Sequence, residues 1–480
     1  MASLSDCPNE IQLHILRDLV PTTWNNIPAS LHSICHVSKR FYSLAQPLLY
    51  SDVHLTWEGE DAEDPRIPLL LRTLLERPSL GNYVEHLSLE GDDALALFAP
   101  DDWVPCIDMA AVDMNKVLKF IKSTRISSKD ANMWRTAVTE PFLDGAVATL
   151  LALLPDLKTL FMGPSFAAQM GVTNWMFHSA LSPERALNPN QLPTFGQLRS
   201  VTVQNETYEM CEHAYWGCRS LPFFYLPEIE RLSLAIHIGC YWSPSPPSPS
   251  KLTSLELHRL CPPELVKLLS ITTGLKKLSW TCCCYPTDDP VMDDSFDFID
   301  LDNVSEALSK VSGTLEELVF KIDYGTHESS AFEMDADNID ITGSLRGLLT
   351  LVHLKKLQVP WVWLMDWSST SERLSDNFVP ESVETLIITL DITAQTVWLS
   401  DELLIFEWMA GFLEGQQGFA NLHIVILESN GILDNAWGTG EEMDLGLIAD
   451  EAGIIFLMDP DASEIELAEA ELAEAARACS

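Results

Sequence analysis

The residues most able to do chemistry in this chain are Cys211, His213 and Cys218, with Cys240 further on. Thiolates and an imidazole are what a structural zinc ion takes. Their intervals fit no ordinary zinc pattern, so they read as loop cysteines beside an unrelated histidine. Cys282, Cys283 and Cys284 extend the run that begins at Ser279 and Trp280, and read as small packing residues, not as ligands or nucleophiles. No G-x-x-x-x-G-K-[ST], G-x-G-x-x-G, G-x-S-x-G, H-E-x-x-H or C-x-x-C string occurs. Among 70 acidic residues some meet by chance, so no acid/base pair can be singled out. The expectation is a chain that is not an enzyme and has no cofactor or metal of its own. "SPSPPSPS" (243–250) must leave the regular structure as an extended loop; its Ser-Pro steps could take phosphate, but a passive flexible insertion is the favoured reading.

The elements around these residues say more. The 480 residues, 47% hydrophobic, suffice for two or three domains or one extended array. The net charge of −41 disfavours nucleic acid and anionic membrane and favours basic partners. The N-terminus lacks the basic start and apolar stretch of a signal peptide, and no apolar run approaches the roughly 18–20 residues that span a bilayer. The eleven scattered cysteines then read as reduced thiols in cytoplasm, nucleus or both.

Three short helices are expected at the N-terminus. Ser5 or Asp6 can cap the first, Pro8 suits its first turn, and Ile11, Ile15, Leu16 and Leu19 recur at helical spacing before Pro21. A second carries Leu31, Ile34 and Cys35. A third, from about Ser38, carries Phe41, Tyr42 and Leu44 and is expected to stop before Pro47. So small a unit buries too little surface to stand firmly alone, so it must dock on its own chain or on a partner.

The order Pro8-x-Glu10-Ile11, Ile15-Leu16-x-x-Leu19, Val37-Ser38-Lys39-Arg40-Phe41-Tyr42-x-Leu44-Ala45 and Leu48-Leu49-Tyr50 resembles the F-box, most closely its fungal type. The likeness covers residues 3–53. It departs at Cys7, where the family usually has leucine, and in a longer stretch from Val20 to Ser30. The resemblance implies binding to a Skp-type adaptor, and through it to the subunits of a cullin-based (SCF-type) ubiquitin ligase. Pro8, Ile11, Ile15, Leu16, Leu19, Val37 and Phe41 are the positions it assigns to that contact.

Beyond this segment a hexad recurs, apolar-x-x-apolar-x-apolar. It starts at 84, 157, 198, 229, 252, 275, 315, 354, 383 and 422, from "VEHLSL" to "LHIVIL". Several copies follow an apolar helical run and a breaker, as in "ATLLALLPDLKTLFM", which is the grammar of an alternating α/β chain. The paired middle positions are mostly polar, which a strand buried on both faces would not tolerate. The pattern resembles an irregular leucine-rich repeat array, an α/β solenoid with parallel strands on its concave face. Insertions are expected around 91–140, 163–195 and 281–303. The competing fold is a doubly wound α/β domain.

The resulting division is a helical segment at 1–53, a linker helix region at 54–83, a repeat domain at 84–430 and an acidic end at 431–480. That last segment holds thirteen acidic residues and one basic, Arg477, and reads as an end cap or a solvated tail. In leucine-rich strands the positions flanking the last leucines project from the concave face. Here they include Glu90, Phe161, Gln204, Glu256, His258, Thr281, Lys321, Gln358, Ile387, Thr389, Ile426 and Glu428. These residues, Ile387 and Ile426 as lining, are the candidate contacts for a client protein, expected to be basic or mixed in charge. The functional expectation is a substrate receptor for ubiquitination. Its rivals are a repeat scaffold that uses the N-terminal segment only for assembly, and an α/β enzyme with an unrecognised site.

Overall fold

The computed structural model of the chain describes residues 7–19, 29–57, 66–91, 104–167, 170–186, 189–204, 220–236, 242, 245–258, 260, 262–283, 298–323, 340–366, 373–374, 379–390, 402–415, 421–429 and 439–479. The fold is α/β, with parallel strands and many helices. The chain divides into two compact units, Met1–Ala235 with Tyr241–Lys251, and Ile236–Cys240 with Leu252–Ser480. The division falls inside the span expected as one repeat domain.

In the first unit, helices α1 (Asn9–Arg17), α2 (Ala29–Cys35) and α3 (Lys39–Tyr50) lead directly into a parallel sheet. Its strands pair in chain order: β1 (Asp52–Trp57), β2 (His86–Gly91), β3 (Thr159–Met162), β4 (Ser200–Val203) and β5 (Arg231–Ala235). The region expected as a linker therefore begins inside β1, and only α4 (Arg66–Glu76) matches the helix expected there. The ladder tightens around Ser51, whose carbonyl accepts from both Glu85 N and His86 N at 2.9 Å.

The first expected insertion is largely helical. Helices α5 (Met114–Ser123) and α6 (Ser128–Thr139) precede α7 (Leu143–Leu151) and bury Val117, Ile121, Trp134 and Val138. Trp134 Nε1 donates to Thr149 Oγ1 at 3.0 Å, which joins α6 to α7. Gly145 permits that approach, since a Cβ there would lie 2.8 Å from the Ala137 carbonyl carbon. The second insertion holds α8 (Gly171–Leu181), whose first turn donates to the Asp144 carboxylate from Thr173 N at 3.0 Å. Phe177 of α8 packs against Phe195 and Phe223, with ring centroids 4.9 and 4.7 Å away.

The second unit repeats the scheme. Strands β6 (Ser254–His258), β7 (Lys277–Cys283), β8 (Glu317–Asp323), β9 (Lys356–Pro360), β10 (Thr385–Thr389), β11 (Ile424–Glu428) and β12 (Ile455–Met458) pair in parallel, again in chain order. Helices α9 (Pro262–Leu269), α10 (Leu301–Ser309), α11 (Glu402–Gly415), α12 (Thr439–Ala452) and α13 (Ala462–Cys479) alternate with these strands or follow them. The rings of Trp280, Phe320 and Trp363 lie 5.1–5.7 Å apart in the core. Burial of such rings supplies much of the hydrophobic stabilisation.

Each of the ten hexads carries a strand that begins at its third residue. The leading apolar residue of each, from Val84 to Leu422, is buried. A fully buried leucine of this kind stabilises by about 1.5–3 kcal/mol. The polar middle positions face water and meet across neighbouring strands. Lys158 pairs with Glu85 at 2.7 Å, Lys276 with Glu316 at 2.7 Å, Lys277 with Glu317 at 2.5 Å and Lys355 with Glu384 at 3.1 Å. Exposed pairs like these contribute little each, but they account for charge beside a buried row.

Three local expectations change. Helix α3 runs through Pro47 to Tyr50, although a proline there has no N–H to donate to the Ser43 carbonyl four residues back. Asn9 opens α1 with Pro8 in the capping position, while Ser5 and Asp6 lie outside the described residues. Within 245–250, Pro247 and Pro249 are buried and Tyr225 Oη donates to the Ser245 carbonyl at 2.7 Å, so this part packs back rather than leaving as a free loop.

Candidate functional site

Two surfaces carry the residues singled out above. The first is the N-terminal helical segment. Leu16, Leu31 and Ala45 form its core, with Ile34, Cys35, Leu44, Leu48 and Leu49 packed around them. Ser38 caps α3, its Oγ accepting from Phe41 N at 3.2 Å. Arg40 ties α3 to the start of α1: Nη2 donates to Asn9 Oδ1 at 2.8 Å and to the Cys7 carbonyl at 3.0 Å. Burial pushes the Cys35 thiol up, which suits a packing residue and not a nucleophile.

Against that core the segment leaves an aliphatic stripe bare. Ile11 is 49% exposed, Ile15 38% and Leu19 39%, and Val37 in the turn before α3 is 68% exposed. Pro8 is exposed as well. The first three sit at i, i+4 and i+8, so they share one line along the helix and the turn that ends it. Two expected contact residues are placed differently. Leu16 is only 1% exposed because it points into the segment's own core, where a second chain cannot reach it, and Phe41 is buried as well.

The second surface is the outward sheet face, which differs between the units. In the first unit Phe161 is half-buried between Ser88 and Thr202 in register, and Gln204 is half-buried just beyond β4. Glu90 is exposed; its Oε1 accepts from Ser88 Oγ at 3.0 Å and lies 3.4 Å from His54 Nδ1. His54 belongs to β1, which the hexad reading missed, as does Asp52. Exclusion of water by neighbouring atoms pushes the Asp52 carboxyl up, although the residue stays exposed overall; His86 and then His54 draw it partly back.

In the second unit one row runs Glu256, Ser279, Val319, Gln358, Ile387, Ile426, Leu457 in register. A neighbouring row holds His258, Thr281 and Lys321. These rows start polar and open, with Glu256 and Lys321 exposed. They end closed. Gln358 and Thr389 are buried, and Gln358 Nε2 donates to Glu428 Oε2 at 3.2 Å. Ile387 and Ile426, expected as exposed lining, are buried against Ala468 of α13 with Ile465 and Leu472 alongside. The acidic end of the chain is thus a helix, a strand and a second helix, the last lying on this face.

Among the described residues no group of three or more His, Cys, Asp or Glu side chains is placed to hold a metal ion, and no helix is long and apolar enough to cross a membrane. The Cys211, His213, Cys218 and Cys240 set lies outside the described residues. No protein-family model and no curated protein matches this chain, so the two surfaces, one bare and one covered only at its apolar end, are what its function has to be read from.

Proposed function

We propose that this chain is a non-enzymatic substrate receptor of a cullin-type ubiquitin ligase. In this reading residues 3–53 act as an F-box that docks on a Skp-type adaptor. The parallel strands act as irregular leucine-rich repeats whose open face holds a client protein. The observation that carries the proposal is the bare stripe of Ile11, Ile15, Leu19 and Val37 on a segment that already closes its own core through Leu16. Aliphatic side chains lined up on a helix and left in water are the usual anchors of helix-face recognition. The open, mixed-charge part of the sheet face, from Glu256 to Lys321, supports a client of basic or mixed character. Catalysis belongs to other subunits, and this chain supplies proximity.

The test is co-purification of a Skp-type adaptor and a cullin with the wild-type chain and with Ile15→Asp plus Leu19→Asp. Both positions are exposed, so the variant should fold; new carboxylates in a desolvated contact should cost several kcal/mol, roughly 3–5, and remove both partners. Adaptor retained at wild-type level by the folded variant would end this reading. Adaptor captured without cullin would favour a non-degradative scaffold instead.

A further inference from the structure

The apolar end of the second unit's sheet face offers five branched aliphatic side chains: Ile387, Ile424, Ile426, Ile455 and Leu457. They come from three neighbouring strands, β10, β11 and β12. Left open, such a patch would be unusual on a soluble domain. Helix α13 covers it with Ile465, Ala468 and Leu472. Their i, i+3, i+7 spacing confines them to an arc of about 60° on the helix. The patch is therefore shaped for one amphipathic helix laid across the strands.

Among the side chains of this helix that are described, only Ala468 is deeply buried; Ile465 and Leu472 are partly so, and Leu467 is 61% exposed. The helix does not depend on the sheet for its shape. Seven of its eighteen residues are alanine, the best helix former. Its start carries a reciprocal cap: Asp461 Oδ1 accepts from Glu464 N at 3.0 Å, and Glu464 Oε2 accepts from Asp461 N at 2.9 Å. The strand before it is fastened separately. Asp459 N donates to the Leu427 carbonyl at 2.9 Å, and its carboxylate accepts from Ser429 N at 2.6 Å and from Ser429 Oγ. Pro460 follows directly. The buried cluster that α13 joins extends past the terminal strand to Ile387, two strands further in.

We propose that this apolar end is a docking groove for an amphipathic helix, that α13 occupies it in the resting chain, and that a client helix with the same i, i+3, i+7 aliphatic stripe enters by displacing α13. This inference rests on the reading of the sheet face as the client surface, and it names the client's chemistry. A self-occupied groove weakens apparent client affinity by the fraction of time it stands open.

The test uses the chain ending at residue 460 and a labelled peptide of residues 461–480. The peptide should bind the shortened chain at least about tenfold more tightly than the full chain, and Ile426→Lys in the shortened chain should abolish binding. A shortened chain whose far-UV circular dichroism falls by no more than the loss of that one helix, and that ignores the peptide, would overturn the proposal, as would equal binding to both chains. Hydrogen exchange on the full chain decides the matter if the shortened chain does not fold. Amides of α13 opening ahead of β10–β12 support the proposal, and α13 and the strands opening in one step sink it. Neither adaptor nor cullin enters these measurements, so their result is independent of the co-purification test.

Discussion

Helices α1 and α13 carry the same kind of pattern and meet opposite fates. Each has a narrow aliphatic stripe, Ile11, Ile15 and Leu19 in one, Ile465, Ala468 and Leu472 in the other. The stripe of α13 shares a buried cluster with five aliphatic side chains of its own sheet, whereas that of α1 stays 38–49% exposed. The difference is in the receiving surface. The last strands of the second unit put Ile387, Ile426 and Leu457 where earlier strands put Glu256, Ser279, Val319 and Gln358, which makes a complement for α13. Around α1 the chain's own aliphatic groups are already used, with Leu31 and Ala45 closing on Leu16. An amphipathic helix thus says that a partner surface is wanted; only the rest of the chain says whether it is supplied internally.

The sharpest way to break this contrast is inside α1 itself. Leu16→Asp buries a carboxylate in the segment's core and should destabilise the three helices by about 3–5 kcal/mol. Its neighbour Ile15→Asp should change stability by no more than about 0.5 kcal/mol. Hydrogen exchange of α1–α3 amides separates the two, and equal losses would mean that the stripe is not free. Next in size, Ala468→Glu places a charge at a deeply buried contact of α13. It should release that helix, raise binding of a hydrophobic dye to the exposed isoleucines and leave β6–β9 protected.

Arg40→Ala follows. It removes the tie from α3 to Asn9 and Cys7, worth about 0.5–1.5 kcal/mol, and should loosen the start of α1 with little change at α2 in the same exchange experiment. The smallest effect concerns pH. The Ser463 hydroxyl, then the Glu464 and Ser463 amides, hold the Asp461 carboxyl below its ordinary value. A depressed carboxylate stabilises the fold above its unfolded pKa and loses that contribution as pH falls through the folded value. Protection of α13 should therefore fall on acidification below the usual carboxylate range, and Asp461→Asn should flatten that dependence.

Much of the strand framework could be read from residues alone, because the ten hexads place a buried side chain at the same three fixed points. Two strands escaped for physical reasons. Tyr50 stands where leucine, isoleucine or valine leads the other hexads, so β1 was absorbed into the N-terminal motif. Gly453, with φ of +75°, stands where an apolar residue would announce β12. Within α1, periodicity could not separate Leu16 from the stripe beside it, since the inward line pairs Leu16 with the polar Gln12, which is also buried. The closure of Gln358, Ile387, Thr389 and Ile426 was beyond local patterns altogether. Contacts made by residues some forty to a hundred positions later in the chain contribute to it, Glu428 for Gln358 and α13 for the two isoleucines.

The central claim, that the bare stripe of α1 is a contact surface and Leu16 is not, is tested most directly by titrating a purified Skp-type adaptor against Ile15→Asp in solution. The account predicts an affinity weakened by about a hundredfold or more, as for loss of one anchor worth some 3 kcal/mol, with an unchanged melting temperature. An unchanged affinity in a folded Ile15→Asp chain would contradict it.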